Sequence, residues 1–350
     1  VDLRADVATL TAALVDIASV SGQERALADA VETALRRCSD LAVVRDGDAV
    51  VARSGGQGAR VVLAGHLDTV PEAANLPGVR ADGRIAGLGA CDMKGGVAVA
   101  LRLMAQAARV GRPLTGVFYD GEEVDDARNG LRRLLATHPD WLDGEFAVLL
   151  EPTDGVPEAG CQGSLRAEVT VTGVRAHTAR AWTGSNAIHA AAGVLDRLAG
   201  YVPREPVVEG LSFHEGLQAV RISGGVAGNV VPDHAVVTVN HRFAPDRDVE
   251  AATAHLREVF TGYDVAVVDA SPGAPPGLDV PAVAAFAAAL GGQVRAKLGW
   301  TDVARFAARG VPALNFGPGD PLLAHTAGEW VAEASLRDVE DRLRAALAAG

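Results

Sequence analysis

The chain has 350 residues, 49% of them hydrophobic and 22% charged, with a formal net charge of −12. That length can bury a large core and is long for one domain, and the composition excludes a disordered or fibrous chain. The acidic balance argues against nucleic acid or an anionic membrane surface as partner.

In chain order, helical periodicity runs over 6–17 and 23–38, with Ser21 as a candidate N-cap of the second helix. The apolar run VVLAGH (61–66) predicts a buried strand, and Gly95–Gly96 opens an Ala-rich helix over 97–109. GVFYD and FAVLLE predict further strands, separated by a helix over 129–137. Strands alternating with helices imply a largely parallel sheet covered on both faces. The pattern changes after about Ser164, where strand, helix, strand, strand, helix and strand follow in the split βαβ order. The chain then returns to a helix (281–290), a strand in PALNFG and a last helix beginning near Ser335. The simplest organisation is an α/β domain in two pieces, 1–163 and 278–350, interrupted by a compact α+β insert over 164–277.

Cys38, Cys91 and Cys161 are scattered and odd in number. They form no disulfide framework or CxxC pair, so a reducing cytoplasm is expected. The N-terminus lacks the basic start and apolar core of a signal peptide. No run approaches the roughly 18 apolar residues of a membrane span.

Chemistry gathers where the strands end. His66 closes VVLAGH, Glu122 and Glu123 follow GVFYD, and Glu151 closes FAVLLEP. Asp92 sits between Gly-containing stretches in GACDMKGG, and His325 follows the loop NFGPGDPLLAH. Ends of parallel strands are where open α/β sheets place their sites. Imidazoles and carboxylates with one carboxylate to spare are what a two-metal hydrolase requires. Asp92 is the candidate bridge between two ions. Asp68, two residues after His66, could hydrogen-bond the second imidazole nitrogen and fix its tautomer. Of the adjacent Glu122 and Glu123, one can coordinate while the other takes a proton. A lone strand-end His or an acidic run is more often a solvated surface feature; together these residues reverse that weighting. A non-catalytic protein with structural metal is the rival of another class, yet a closed structural site needs no spare carboxylate.

The motifs GHLDTVP, ACDMKGG, GEEV, EPT and AHTAGEW resemble those of the aminoacylase and carboxypeptidase G class of dinuclear zinc hydrolases. The resemblance spans nearly the whole chain. It implies a zinc-peptidase-like three-layer catalytic domain with an inserted ferredoxin-like lid and dimerisation domain. Carried over by position, His66 and Glu151 would bind one zinc, Glu123 and His325 the other, and Asp92 would bridge them. Asp68 would orient His66, Glu122 would be the general base, and the Asp92–Met93 peptide would be cis. His177 would stabilise the oxyanion in the partner subunit's site of a homodimer. Arg180, Asn229 and Arg242 would grip substrate carboxylates or order the closed site. Two Zn²⁺ per subunit are implied, although such sites also accept Co²⁺ or Mn²⁺. Gly121 departs from the commonest acidic motif of the class. Within the class, GVRAHTARAW, GGVAGNVVPD, VNHRFAPD and WTDVARF resemble members that hydrolyse N-succinyl-LL-2,6-diaminopimelate. N-Acetylornithine or a dipeptide is the alternative substrate, which the ligand set does not separate.

Overall fold

The computed structural model describes residues 1–349. They divide into two units. The first comprises Val1–Gly160, Pro276–Arg295 and the chain from Asp302 onward; the second comprises Cys161–Pro275 and Ala296–Thr301. The short stretch Ala296–Thr301 thus groups with the second unit, apart from its neighbours in sequence.

In the first unit four strands run parallel, in the order Leu114–Tyr119, Val61–His66, Phe146–Leu149 and Ala313–Asn315. The first three are buried at every residue, which is why they read as unbroken apolar runs. The hairpin Leu41–Asp46/Ala49–Ser54 adds antiparallel strands beside Leu114–Tyr119, and Glu158–Ala159 adds one beside Ala313–Asn315. One face of the sheet packs on the helices Val7–Val15, Arg25–Arg36, Gly95–Ala105, Pro281–Leu290 and Glu333–Ala349. The helices Gly130–Thr137 and Val303–Ala307 also pack on its strands. Ser21 does not cap the second helix: the residue before Arg25 is Glu24, which makes no side-chain cap bond. The Ser21 hydroxyl donates to Asp68 instead, at 2.8 Å.

The second unit is a four-stranded antiparallel sheet in the order Gly216–Gly224, His234–Phe243, Gly163–Thr172 and Asp264–Ser271. In the strand Gly163–Thr172 burial alternates, with Leu165, Ala167, Val169 and Val171 buried. The helices Ala187–Ala190, Ala192–Ala199 and Val249–Val259 supply the other half of that core. This is the split βαβ order expected. All three cysteines are free, and among the described residues no helix is long and apolar enough to cross a membrane.

Candidate metal centre

Three adjacent parallel strands deliver the site. His66 is the last residue of its strand and pairs with Tyr119, the last of the next; Ala64 pairs with Leu149 on the other side. Glu122 and Glu123 follow Tyr119 within one turn of chain, and Glu151 follows Leu149 by two residues. Parallel strands with matched ends leave their following residues side by side, so groups 85 residues apart in sequence become neighbours.

Two glycines make the approach possible. A Cβ on Gly96, in the first turn of the helix Gly95–Ala105, would lie 2.1 Å from the carbonyl oxygen of Leu150. The helix therefore seats directly against the chain that presents Glu151. Gly121 has φ +69°, and a Cβ there would lie 2.5 Å from the Arg128 carbonyl oxygen. The departure from the acidic motif thus has a steric reason: the turn that aims Glu122 and Glu123 demands glycine.

Nε2 of His66 lies 3.1 Å from Asp92 Oδ1. Nε2 of His325 lies 3.4 Å from Asp92 Oδ2 and 2.8 Å from Glu123 Oε1. Each oxygen of Asp92 thus faces a different imidazole. Three groups have ligand atoms within 4.8 Å of one another and could hold a metal ion: His66, Asp92 and Glu151; Asp92, Glu123 and His325; and His66, Glu122 and Glu123. The first two share Asp92. A donor set of imidazoles and carboxylates, converging with few other cations, fits divalent metal. His325 reaches the site from a loop, with φ 61°. The Asp92–Met93 peptide is cis.

Asp68 meets His66 through both its main chain and its side chain. The closer partner of His66 Nδ1 is the Asp68 carbonyl oxygen at 3.0 Å, with the carboxylate Oδ1 at 3.6 Å. The fully buried carboxylate accepts N–H groups from Glu122 at 3.0 Å and Glu123 at 2.9 Å, besides the Ser21 hydroxyl. Burial pushes its acidity down, but His66 and those backbone donors prevail and hold its pKa at about 2. Asp68 is therefore a permanent anion that fixes the Glu122–Glu123 turn.

Burial is the main force on Glu122 and drives its carboxyl well above the ordinary range. His66 opposes that shift, while the charges of Asp302, Glu151 and Glu123 add to it. A carboxyl poised to hold a proton is suited to acid–base work. Asp302 has no place in the sequence reading. It is fully buried and accepts from Asn129 Nδ2 at 3.0 Å and from the Arg305 guanidinium. The string WTDVARF contains it, but nothing in the sequence tells that it is buried.

Without a cation, the neighbouring carboxylates favour the protonated form of both imidazoles. Burial disfavours the charged form of His66, yet its bonds to Asp68 and Asp92 raise its pKa well above the usual value. Bonds to Asp92 and Glu123 raise His325 to about 10. Because that pKa is raised, the stabilising His325 pairing is complete below pH ~6.5 and lost as pH climbs through about 10. Incoming cations must displace these protons. Zinc titration of the metal-free protein at pH 7 is expected to release protons, with affinity rising with pH. An indicator-dye titration measures this, and zinc uptake without proton release would contradict it.

The remaining candidates lie in the second unit. His177 ends a short strand paired with Val230–Val231, and Thr178 N–H donates to the Asn229 carbonyl at 3.0 Å. His177, Arg180 and Asn229 thus share one corner and are exposed. Nδ1 of His177 accepts from Ala179 N–H at 3.0 Å, so the neutral ring carries its proton on Nε2. Arg242 lies elsewhere. It pairs with Ser164, whereas His234, beside the corner, pairs with Thr172. Eight residues of strand put about 26 Å between the two ends.

Residues 62–349 match the model of peptidase family M20/M25/M40. The chain is 55% identical over 347 residues to a putative succinyl-diaminopimelate desuccinylase of Mycobacterium tuberculosis, covering 98% of each. It is 45% identical to a succinyl-diaminopimelate desuccinylase of Corynebacterium glutamicum, covering 97% of this chain and 95% of that one. A tripeptidase of Staphylococcus aureus has a similar fold, with TM-score 0.78 at 20% identity over 100% of this chain and 98% of that one.

Proposed function

The chain belongs to peptidase family M20/M25/M40, and from that premise we propose that it hydrolyses N-succinyl-LL-2,6-diaminopimelate to succinate and LL-diaminopimelate. It is a metal-dependent amidohydrolase, and the product serves lysine and cell-wall precursor synthesis. One observation carries the chemistry: two ligand triads meet at Asp92, with the protonatable carboxyl of Glu122 beside them. The substrate rests on 55% identity across 98% of the chain to a relative bearing that activity in its name.

His66, Asp92 and Glu151 are assigned to one ion, and Asp92, Glu123 and His325 to the other, zinc being the metal proposed. When bound, the two cations supply Lewis acidity toward a carbonyl and lower the pKa of water toward ~7. Asp68 holds the turn that aims Glu122. Glu122 takes a proton from water as its oxygen bonds to the succinyl carbonyl carbon. The same carboxyl then passes the proton to the departing nitrogen as the C–N bond breaks. His177, with its proton on Nε2, is assigned to the developing oxyanion. Arg180, Asn229 and Arg242 are assigned to the substrate's carboxylates, for which arginine's planar fork is suited.

A homodimer follows from the same assignments. One copy holds the His177 corner and Arg242 at opposite ends of the strand His234–Phe243, too far apart for one small substrate. A second copy removes that conflict. The edge strand Gly216–Gly224 exposes Val220 and Ile222, beside exposed Ile188 and Leu195 on the flanking helices. A monomeric mass in sedimentation would count against this assembly. A cytoplasmic setting is proposed with it, in keeping with the free cysteines.

The test is turnover of zinc-loaded protein on N-succinyl-LL-diaminopimelate beside N-acetylornithine and a dipeptide. Preference for the succinyl compound, abolished by a chelator, is expected. Chelator-sensitive cleavage of another substrate instead would keep the mechanism and refute the substrate. No cleavage of any, with metal bound, would favour the binding-protein reading.

A further inference from the structure

The Glu329 carboxylate is 2% exposed and gathers the backbone of the segment that carries Asp92. Its Oε2 accepts from Gly89 N–H at 3.1 Å; its Oε1 accepts from Cys91 at 2.8 Å and from Asp92 at 2.9 Å. The Glu329 carbonyl takes a further N–H, from Gly87, at 3.1 Å. Asp92 has φ −119° and ψ 97°, outside the helical range, just ahead of the helix Gly95–Ala105. Its N–H therefore needs an acceptor other than a helical carbonyl, and Glu329 provides it. Glu329 itself belongs to none of the three ligand groups. It stands four residues after His325, so one side chain ties the Asp92 segment to the segment bearing His325.

We propose that Glu329 is a positioning residue, a clamp that holds the Asp92 main chain so that the two carboxylate oxygens face His66 and His325 separately. The proposal rests on the reading of Asp92 as the ligand common to both ions. A carboxylate suits the task because it is acceptor-only, with two oxygens for three donors. An amide of the same shape would turn an NH₂ group toward one of those N–H groups and leave a buried donor without an acceptor.

The experiment compares zinc affinity, by titration against a competing chelator, for the metal-free parent, Glu329→Gln, Glu329→Asp and Asp92→Asn. The melting temperature of each metal-free form is recorded alongside. Glu329→Gln is expected to bind zinc about 10–100-fold more weakly, the usual effect of losing a group that orients a ligand. A purely structural role would lower the melting temperature and leave the affinity of the folded fraction unchanged. Should Glu329→Gln fail to fold, Glu329→Asp carries the test, since it keeps the charge and shortens the reach by one methylene. Parental affinity in a folded Glu329 variant, with affinity lost in Asp92→Asn, would overturn the clamp and leave Asp92 a ligand. Parental affinity in Asp92→Asn as well would overturn the ligand assignment and the clamp together. Failure of both Glu329 variants to fold would make Glu329 a structural residue and also overturn it.

Discussion

Replacing Glu122 with glutamine is expected to lower kcat roughly 10²–10⁴-fold while the protein still binds about two cations per subunit, the range general acid–base groups contribute. The expectation follows from where Glu122 stands. It lies outside the two ligand triads that share Asp92, yet its neighbour Glu123 belongs to one of them. Backbone N–H bonds from both residues to Asp68 fix the turn, and glutamine leaves those bonds intact. What glutamine removes is the ability to take a proton and return it. Steady-state kinetics beside metal analysis separates the possibilities. Undiminished kcat would mean that another group is the base, and loss of metal would mean that Glu122 is a ligand.

Asp92→Asn is expected to weaken both cation sites by more than the 10–100-fold seen when only a ligand-orienting group is lost. Asp92 is the member common to both triads, and asparagine keeps one oxygen where two face two imidazoles. The negative charge that raises the pKa of both His66 and His325 is lost as well, and the pKa of each histidine should fall. Turnover should become undetectable at metal concentrations that saturate the parent. Calorimetric zinc titration checks it, and retention of one tight site would show that Asp92 serves a single ion.

His66 and Glu151 stood out as candidates because each is the first polar position after an unbroken apolar run, whereas Asp92 and His325 follow Gly-containing stretches. VVLAGH and FAVLLEP can be buried only in a covered sheet, and a polar residue closing such a run needs a partner. The alternation in the strand Gly163–Thr172 likewise marked a half-covered sheet, and with it the second unit. The hairpin Leu41–Asp46/Ala49–Ser54 went unread, since its first strand is half-exposed at the sheet edge and shows no clean apolar pattern. Less legible still were the residues that bond to the segments carrying these candidates. Ser21, Asp68 and Glu329 bond to atoms of distant segments, largely backbone N–H groups, and a sequence does not say which N–H groups lack a local acceptor. Asp68 shows the difference plainly. Its spacing from His66 suggested a carboxylate–imidazole pair, which the structure holds at 3.6 Å, but not the shorter bonds its carboxylate takes from Glu122, Glu123 and Ser21. Gly121 looked like a lapse from a motif until the Arg128 carbonyl showed what a side chain there would strike.

Five side chains on the first unit are proposed to hold two cations that share Asp92. Anomalous diffraction at the zinc absorption edge, on crystals of the zinc-loaded protein, tests it most directly. Two peaks are expected, one among His66, Asp92 and Glu151 and one among Asp92, Glu123 and His325. A single peak, or zinc away from Asp92, would refute a shared two-cation site.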